Sequence, residues 1–532
     1  MFRASPQKGI AFVTGAASGI GLGVTRELAR RGYRVAAVDI NSAQLAVLAD
    51  SSGGTITAHV GDITDRVGMA ALVAHIEAAL GPVVLAFLNA GIYVADGGGH
   101  VDAALVARVF AVNVGGTANC LDPLTAVMAR RGFGQIAVNA SVAGYGGMPG
   151  MAAYGSSKAA LINMAASLKF ALDPLGVTMQ VVNPGFVRTP LTDKVKFARP
   201  FLVELDAASK IICDGFARKG FEISFPRRLA WPKKAFNILP YALYFAAVRA
   251  TLASRKTRKA IVGPALSTIA KQAMFRASPQ KGIAFVTGAS SGIGRSVALE
   301  LARRGYKVAA VARRQPELVA LATESGGNIF AYSGDVTDRA AMAALVGAIE
   351  AAHGPVALAF LNAGTYAADG DGHVDATAMM HTFAVNVGGT VNCLDPLTRR
   401  MVARGFGQIA VNGSVAGYGG LPRSVAYGAT KAALINMAAS LKFALDPLGI
   451  TMQVVNPGFV RTPLTDRNDF PMPFLMEPDV SAKIICDGFE RKGFEITFPR
   501  RLAWLLKAIN FLPYALYFPL VRAATGAAKP KG

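Results

Sequence analysis

Apolar positions along this chain fall into short runs that end in glycine, and the spacing between runs changes to that of helices. Ile10–Thr14 is an apolar run with β-branched residues, which predicts a buried strand. A turn at Gly15, Gly19 and Gly21 follows, and Leu22 to Arg31 then carries helical spacing up to Gly32. Further strands are predicted at Arg34–Val38, Ile56–Val60, Val84–Leu88, Gln135–Asn139 and Thr178–Val182. Helices are predicted at Val67–Leu80, Ala103–Met128 and Ala152–Leu172. Strands alternating with helices predict an α/β fold built on a doubly wound parallel sheet.

The whole pattern is written twice. MFRASPQKGIAFVTGA begins at Met1 and again at Met274, an offset of 274 − 1 = 273 that still holds at Trp231 and Trp504. A chain of 532 residues is too long for one ordinary domain and suits two of about 250. The domains expected are 1–250 and 274–532, joined by a basic linker, 251–273, that contains Arg255, Lys256, Arg258 and Lys259. Two starts this similar read as a recent duplication or a fusion. The copies are expected to pack on each other as an intrachain pseudo-dimer, with further homo-oligomerisation left open.

Each copy ends in an apolar and basic helical tail, FPRRLAWPKKAFNILPYALYFAAVR and FPRRLAWLLKAINFLPYALYFPLVR. Ala235–Val248 is too short to cross a bilayer. Two readings are open: the tail lies on an anionic membrane surface, or it caps a substrate cleft or a subunit interface.

Composition narrows the classes. The chain is 52% hydrophobic with a mean hydropathy of +0.38, and its net charge is +22. That charge attracts anionic cofactors or an anionic surface. Zinc-finger spacing, basic-region heptads and aromatic RNA-binding signatures do not occur, so no nucleic-acid partner and no metal are expected. Cys120, Cys213, Cys393 and Cys486 form two repeat-related pairs without a CxxC, which suits buried thiols in a reducing compartment. The start lacks a signal-peptide pattern, and a cytoplasmic protein, peripheral on a membrane in the tail-on-lipid reading, is expected.

The strand, the glycine turn and the helix together form a dinucleotide cradle. Glycines let backbone N–H groups approach a pyrophosphate, and the helix N-terminus adds partial positive charge. The turn residues are Gly15, Ser18, Gly19, Ile20 and Gly21, and in the second copy Gly288, Ser291, Gly292, Ile293 and Gly294. TGAASGIG and TGASSGIG resemble the opening motif of the short-chain dehydrogenase/reductase family. NAG at Asn89–Gly91 and Asn362–Gly364, Tyr-x3-Lys at Tyr154/Lys158 and Tyr427/Lys431, and NPG at Asn183–Gly185 and Asn456–Gly458 complete the resemblance. It covers nearly all of each repeat, and the fold it implies is Rossmann-like.

The chemistry of this set can be read from the residues. Tyr154 and Lys158 are four apart on one helix face, and Ser141 precedes the tyrosine by 154 − 141 = 13 residues. Moving a hydride to or from an alcohol carbon requires a proton acceptor at its oxygen. A phenol with a pKa of about 10 is a poor base, and an adjacent ammonium is expected to lower it. A hydroxyl opposite can hydrogen-bond the substrate oxygen as charge develops. The second copy has Ser414, Tyr427 and Lys431.

The family resemblance implies more. The tyrosines would be general acid/base, the lysines would also bind the nicotinamide ribose, and the serines would polarise the carbonyl. Asn113 and Asn386 would support a proton relay, Asp62 and Asp335 would contact adenine, and Thr189 and Thr462 would contact the nicotinamide amide. Asn89, Gly91, Pro184 and Gly185, with Asn362, Gly364, Pro457 and Gly458, would complete the cofactor walls.

One stretch differs between the copies. VAAVDIN in the first becomes VAAVARR in the second, so Asp39 corresponds to Ala312, and Ile40 and Asn41 correspond to Arg313 and Arg314. A carboxylate here accepts from both adenosine ribose hydroxyls and repels a 2′-phosphate. Two arginines pair with that phosphate, and Arg295 in place of Leu22 adds charge nearby. NAD is therefore expected in the first domain and NADP in the second. The substrate expected is a hydrophobic secondary alcohol or ketone. Met148–Met151 corresponds to Leu421–Ser424, and Lys194 to Leu205 corresponds to Arg467 to Met476; the first pocket reads as more apolar, and Arg423 either meets an acidic or polar group or is a solvated surface residue. The two sites act independently, or in sequence as oxidation then reduction with net inversion of an alcohol. The reading from another class is a dinucleotide-sensing or membrane-associated scaffold without turnover.

Overall fold

A strand that is apolar on both faces must be covered on both faces, and in each half helices supply the cover. The computed structural model describes residues 2–96, 99–193, 199–236, 239–251, 274–367, 374–468 and 470–527. The stretch read as the linker lies outside the described residues except at Thr251. The first lobe contains strands β1 (Ile10–Thr14), β2 (Val35–Asp39), β3 (Ile56–Val60), β4 (Val83–Leu88), β5 (Gly134–Asn139), β6 (Val177–Pro184) and β7 (Glu222–Phe225). The second repeats them as β8 (Ile283–Thr287), β9 (Val308–Ala312), β10 (Ile329–Ser333), β11 (Val356–Leu361), β12 (Gly407–Asn412), β13 (Ile450–Pro457) and β14 (Glu495–Phe498).

Both sheets are parallel, in the orders β3-β2-β1-β4-β5-β6-β7 and β10-β9-β8-β11-β12-β13-β14. The chain works outward from β1 to β3 and then crosses back to β4. This reversal opens a crevice at the carboxyl ends of β1 and β4, where the glycine turn sits. Phe12, Phe87, Phe285 and Phe360 are fully buried on the central strands. The doubly wound α/β fold expected for each half is the fold observed.

Some elements differ from the pattern-based expectation. β7 and β14 have four residues each with alternating burial, too little pattern to stand out in sequence. The run expected as one helix over Ala103–Met128 is three pieces: Ala103–Phe110, a π-helical turn Ala111–Gly116, and Thr117–Arg131. Among the described residues this run, Ala103–Arg131, alone has the length and hydropathy of a membrane span, and 67% of its most apolar window is buried in the protein. The tail is not one helix over Ala235–Val248. Its described parts are two helices, Arg227–Phe236 and Tyr241–Thr251, and Pro240 stands directly before the second, where proline suits a helix start.

The lobes meet along helices Ala152–Leu172 and Val425–Leu445, whose facing residues are small. A Cβ on Gly147 would lie 2.5 Å from the Ala439 Cβ, and one on Gly420 2.5 Å from the Ala166 Cβ. Asn163 donates to the Ala416 carbonyl (3.3 Å) and Asn436 to the Ala143 carbonyl (3.3 Å).

The tails then cross to the opposite lobe. Tyr241 and Phe245 pack on Phe494 at 4.7 and 5.0 Å, and Phe245 reaches Phe443 at 5.1 Å. In return Tyr514 and Phe518 pack on Phe221 at 4.7 and 5.0 Å. Arg522 pairs with Asp173 (2.8 Å), which also holds Lys169 (2.8 Å). The side chains of the first pair are only 8% and 3% exposed. The matching pair from the first tail, Arg249–Asp446, is also 2.8 Å long, but its arginine is 50% exposed.

The two crossings therefore differ in energy. Removing one partner of a buried pair costs about 3 kcal/mol or more, whereas an exposed pair contributes less than about 1 kcal/mol. Equilibrium denaturation should show Arg522→Ala destabilising the protein by at least about 2 kcal/mol more than Arg249→Ala. Equal losses would contradict the burial of the second tail.

Candidate active sites

The cradle begins where β1 ends. Gly15 and Gly19 have φ of +65° and +51°, a left-handed conformation that side chains disfavour. A Cβ on Gly21 would fall 2.0 Å from the Gly15 carbonyl oxygen, and one on Gly294 2.3 Å from that of Gly288. Gly292 repeats the open conformation at +54°. Ser18 and Ser291 occupy the N-cap positions without side-chain caps, which leaves the first-turn N–H groups to an anion. Ile20 and Ile293 pack against the hydrophobic core and anchor the turn.

The Asn89 amide donates to the carbonyls of Thr14 (3.2 Å) and Gly15 (3.4 Å) and accepts from Asn139 (2.8 Å). It ties the turn to β4 and β5. Asn362 does the same for Thr287 (3.3 Å) and Asn412 (2.9 Å). Gly91 and Gly364 admit the neighbouring asparagines, since an added Cβ would lie 3.0 Å from the Asn113 Oδ1 and 3.2 Å from the Asn386 Oδ1. Pro184 and Pro457 end β6 and β13, and the next residues, Gly185 and Gly458, donate to Phe225 and Phe498 (both 2.7 Å). Thr189 and Thr462 sit over the turn, 3.4 and 2.8 Å from where a Cβ on Gly19 or Gly292 would lie. A turn cleared of Cβ atoms, with unspent N–H groups beside it, fits a dinucleotide pyrophosphate.

The ends of β2 and β9 brace this turn with opposite charges. Asp39 accepts from the Ala17 N–H (3.0 Å) and the Asn41 N–H (3.0 Å). In the second lobe Arg314 donates to the Ser290 hydroxyl (2.9 Å), at the position equivalent to Ala17. Arg313, 72% exposed, lies 3.9 Å from Asp335. Arg295, expected to add charge near the phosphate, is turned onto Glu324. Asp62 accepts from the Thr64 N–H and hydroxyl, both at 2.8 Å. Asp335 accepts in the same way from Thr337 at 2.9 Å, and this N–H, aided by Arg313, holds its carboxyl below the usual range.

The proton-handling residues converge at the carboxyl ends of the central strands. Lys158 donates to the Asn139 carbonyl (2.8 Å), with its Nζ 5.6 Å from the centre of the Tyr154 ring. Lys431 matches it on Asn412 (2.8 Å), 5.4 Å from the Tyr427 ring. Ser141 and Ser414 start short turns, and each hydroxyl accepts from a backbone N–H, of Ala143 (3.1 Å) and Ala416 (3.2 Å).

Burial pushes the Tyr154 and Tyr427 phenols up to about 12, while hydrogen bonds to Ser141 and Ser414 act in the opposite direction. Burial also lowers each lysine to about 7. The lowering by the ammonium expected from the sequence is set against this burial. Desolvation wins within the protein's own atoms, and the serine supplies the lowering.

Asn113 lies in the π-helical turn and is fully buried. It accepts from the Ile92 N–H (2.7 Å) and donates to the Ile92 carbonyl and the Ser157 hydroxyl, both at 3.0 Å. Asn386 binds Thr365 (2.7 and 3.0 Å) and Thr430 (3.0 Å) in the same manner. The extra residue of a π turn is what aims this side chain at the loop after β4.

Sequence reasoning missed three contributors. Tyr93 and Tyr366 stand edge-on to Tyr154 and Tyr427 at 5.4 and 5.6 Å. Their recurrence two residues after each NAG was the available signal. Asp96 accepts from the Ala152 and Ala153 N–H groups and so caps the catalytic helix, and burial raises its carboxyl despite those bonds. Its glycine-rich surroundings carried no signal. The Asn139 and Asn412 carbonyls that hold the lysines are backbone groups, invisible to residue typing.

Around Tyr154 the wall is apolar: Tyr93, Ala143 and Met151, with Met148, Phe186 and Leu191 against them. The second lobe places Arg423 at φ +56° where the first has Gly150 at +70°. Of the facing segment Lys194 to Leu205, residues 194–198 lie outside the described residues.

Each buried lysine falls from 10.5 to about 7 on folding, so between these values the unfolded chain binds more protons and stability rises with pH. Lys158→Met/Lys431→Met should flatten the rise in melting temperature between pH 7 and about 9. An unchanged slope would show that these lysines are not desolvated.

Comparison with known proteins agrees with this geometry. The family model for short chain dehydrogenase matches residues 9–199 and again 282–470. An uncharacterized oxidoreductase of Myxococcus xanthus is 36% identical over 237 residues, 44% of this chain and 94% of that protein. The short-chain dehydrogenase/reductase eriH of Hericium erinaceus is 33% identical over 196 residues, 35% of this chain and 78% of that protein. A 3-oxoacyl-(acyl-carrier-protein) reductase, FabG, of Staphylococcus aureus is 33% identical over 187 residues, 34% of this chain and 76% of that protein. Among solved structures, a short-chain dehydrogenase from Streptomyces avermitilis covers 46% of this chain and 95% of its own at 22% identity, with a TM-score of 0.40. With both halves matched, the chain belongs to the short chain dehydrogenase family of oxidoreductases and carries two tandem copies of its domain.

Proposed function

We propose that each lobe transfers a hydride between a nicotinamide dinucleotide and a hydrophobic secondary alcohol or its ketone, with NAD preferred in the first lobe and NADP in the second. The observation that supports this most directly is the grouping of Ser141, Tyr154 and Lys158 beside the glycine cradle, repeated by Ser414, Tyr427 and Lys431. The dinucleotide, when bound, supplies the hydride donor or acceptor. The chain's own residues handle the proton and the geometry.

In the oxidising direction the Tyr154 oxygen takes the alcohol proton as the hydride departs, and in the reducing direction it returns one to the ketone oxygen. A phenol near 12 is ready to donate but must be lowered before it can accept. The Ser141 hydroxyl stabilises phenolate and, turned to the substrate, stabilises charge on its oxygen. Lys158 is positioned from the Asn139 carbonyl to favour the same anion. Asn113 fixes the Ile92 backbone at the edge of the pocket. The apolar wall around Tyr154 favours a hydrophobic substrate and keeps water from the reacting atoms.

The cofactor preferences rest on charge. Asp39 suits ribose hydroxyls and repels a 2′-phosphate, whereas Arg313 and Arg314 are both exposed where that phosphate would lie. The difference should be at least tenfold in affinity, about 1.4 kcal/mol.

Because the tails cross between lobes, the test uses the whole chain with one site silenced. Tyr427→Phe should leave turnover linked to NAD, and Tyr154→Phe turnover linked to NADP. The double variant should lose at least about 100-fold of activity while still binding dinucleotide. Undiminished function in the double variant would contradict catalysis and support the sensing or scaffold reading. Opposite preferences also let the sites work in sequence. A single alcohol enantiomer returned as its mirror image, with little free ketone, is the result that separates this from two independent sites.

A further inference from the structure

The outer faces of the tail helices are apolar and uncovered. In Tyr514–Thr525 the inner residues Tyr517, Phe518, Val521 and Arg522 are buried against the opposite lobe. The outer residues Ala515, Leu516, Pro519, Leu520 and Ala523 are all exposed, and none is polar. Leu516 is 57% and Leu520 43% exposed. An apolar outer face needs cover of its own, and the protein covers only the inner one. Tyr241–Thr251 repeats the arrangement with Ala242, Leu243 and Ala246 outward.

The preceding helices, Arg227–Phe236 and Arg500–Phe511, add Trp231 at 66% exposure and Trp504 at 55%. Seven of the seventeen large hydrophobics exposed among the described residues lie on these four helices, a concentration that scattered surface residues do not produce.

The two tails meet. Lys234 lies 4.3 Å over the Tyr514 ring and Lys507 5.4 Å over the Tyr241 ring, so each tail touches the other across the axis between the lobes. Both line the same cavity of about 140 Å³ on that axis. The charged residues at the start of the helices, Arg227, Arg228, Arg500 and Arg501, are all exposed beside the tryptophans.

We propose that this paired patch docks the enzyme on an anionic lipid membrane. The chemistry selects that occupant. Tryptophan, leucine and arginine together suit the zone between acyl chains and headgroups. Anionic headgroups neutralise the four arginines, whereas a second copy of a chain with net charge +22 would set like charges against them. Helices of 11 and 12 residues are too short to span, so the enzyme rests on the surface.

Flotation of the full chain with vesicles tests this. Vesicles of equal phosphatidylcholine and phosphatidylserine should carry the protein upward, and pure phosphatidylcholine should not. Leu516→Glu/Leu520→Glu should reduce the floated fraction at least tenfold without changing melting temperature or dehydrogenase turnover. Arg500→Gln/Arg501→Gln should weaken flotation and its salt sensitivity together. No flotation with anionic vesicles, or flotation indifferent to these substitutions, overturns the proposal. Light scattering that shows a self-associated wild type, made monomeric by the glutamates without any flotation, also overturns it and assigns the patch to a second copy.

Discussion

The close approach of two small-residue helices, Ala152–Leu172 and Val425–Leu445, is the contact on which both sites depend. Each helix carries the proposed catalytic pair, Tyr154 and Lys158 or Tyr427 and Lys431. Other positions of the same helix meet the partner lobe. Glycine and alanine permit that approach: a Cβ on Gly147 or Gly420, in the loops before the helices, would fall 2.5 Å from Ala439 or Ala166 on the opposite helix. Anything larger there would push against the backbone of the helix that carries the opposite lobe's phenol. Interface and active site therefore share one rigid element, and the crossed tails lock the arrangement from outside.

Within each site the dominant force is desolvation. Burial raises the tyrosine and lowers the lysine, which works against a phenolate and ammonium pair. The chain opposes this with a serine hydrogen bond and with the Asn139 carbonyl, which gives the lysine one fixed partner. Asp96 adds a cap at the start of the first catalytic helix. A site balanced in this way responds strongly to any charge brought beside it.

The six longer strands of each lobe were legible because apolar runs bounded by glycine leave few other options. β7 was not, since Glu222–Phe225 contributes only two inward side chains. The π turn at Asn113 was hidden inside an uninterrupted helical pattern, and only the family resemblance singled that residue out. The tails were legible as apolar and basic, but no pattern states which lobe an apolar face will cover. The cofactor contrast was the clearest signal of all, because each repeat serves as a control for the other: with so much else held constant, Asp39 against Arg313 and Arg314 stands out.

Each lobe should hold a nicotinamide ring against its own buried phenol. A crystal structure of the full chain grown with both dinucleotides measures this directly. NAD is expected in the first lobe and NADP in the second. Each reactive ring carbon should face Tyr154 or Tyr427 across a gap that admits a substrate carbon about 3.5 Å from the ring. A ring turned away from its tyrosine, or the same dinucleotide in both lobes, would contradict it.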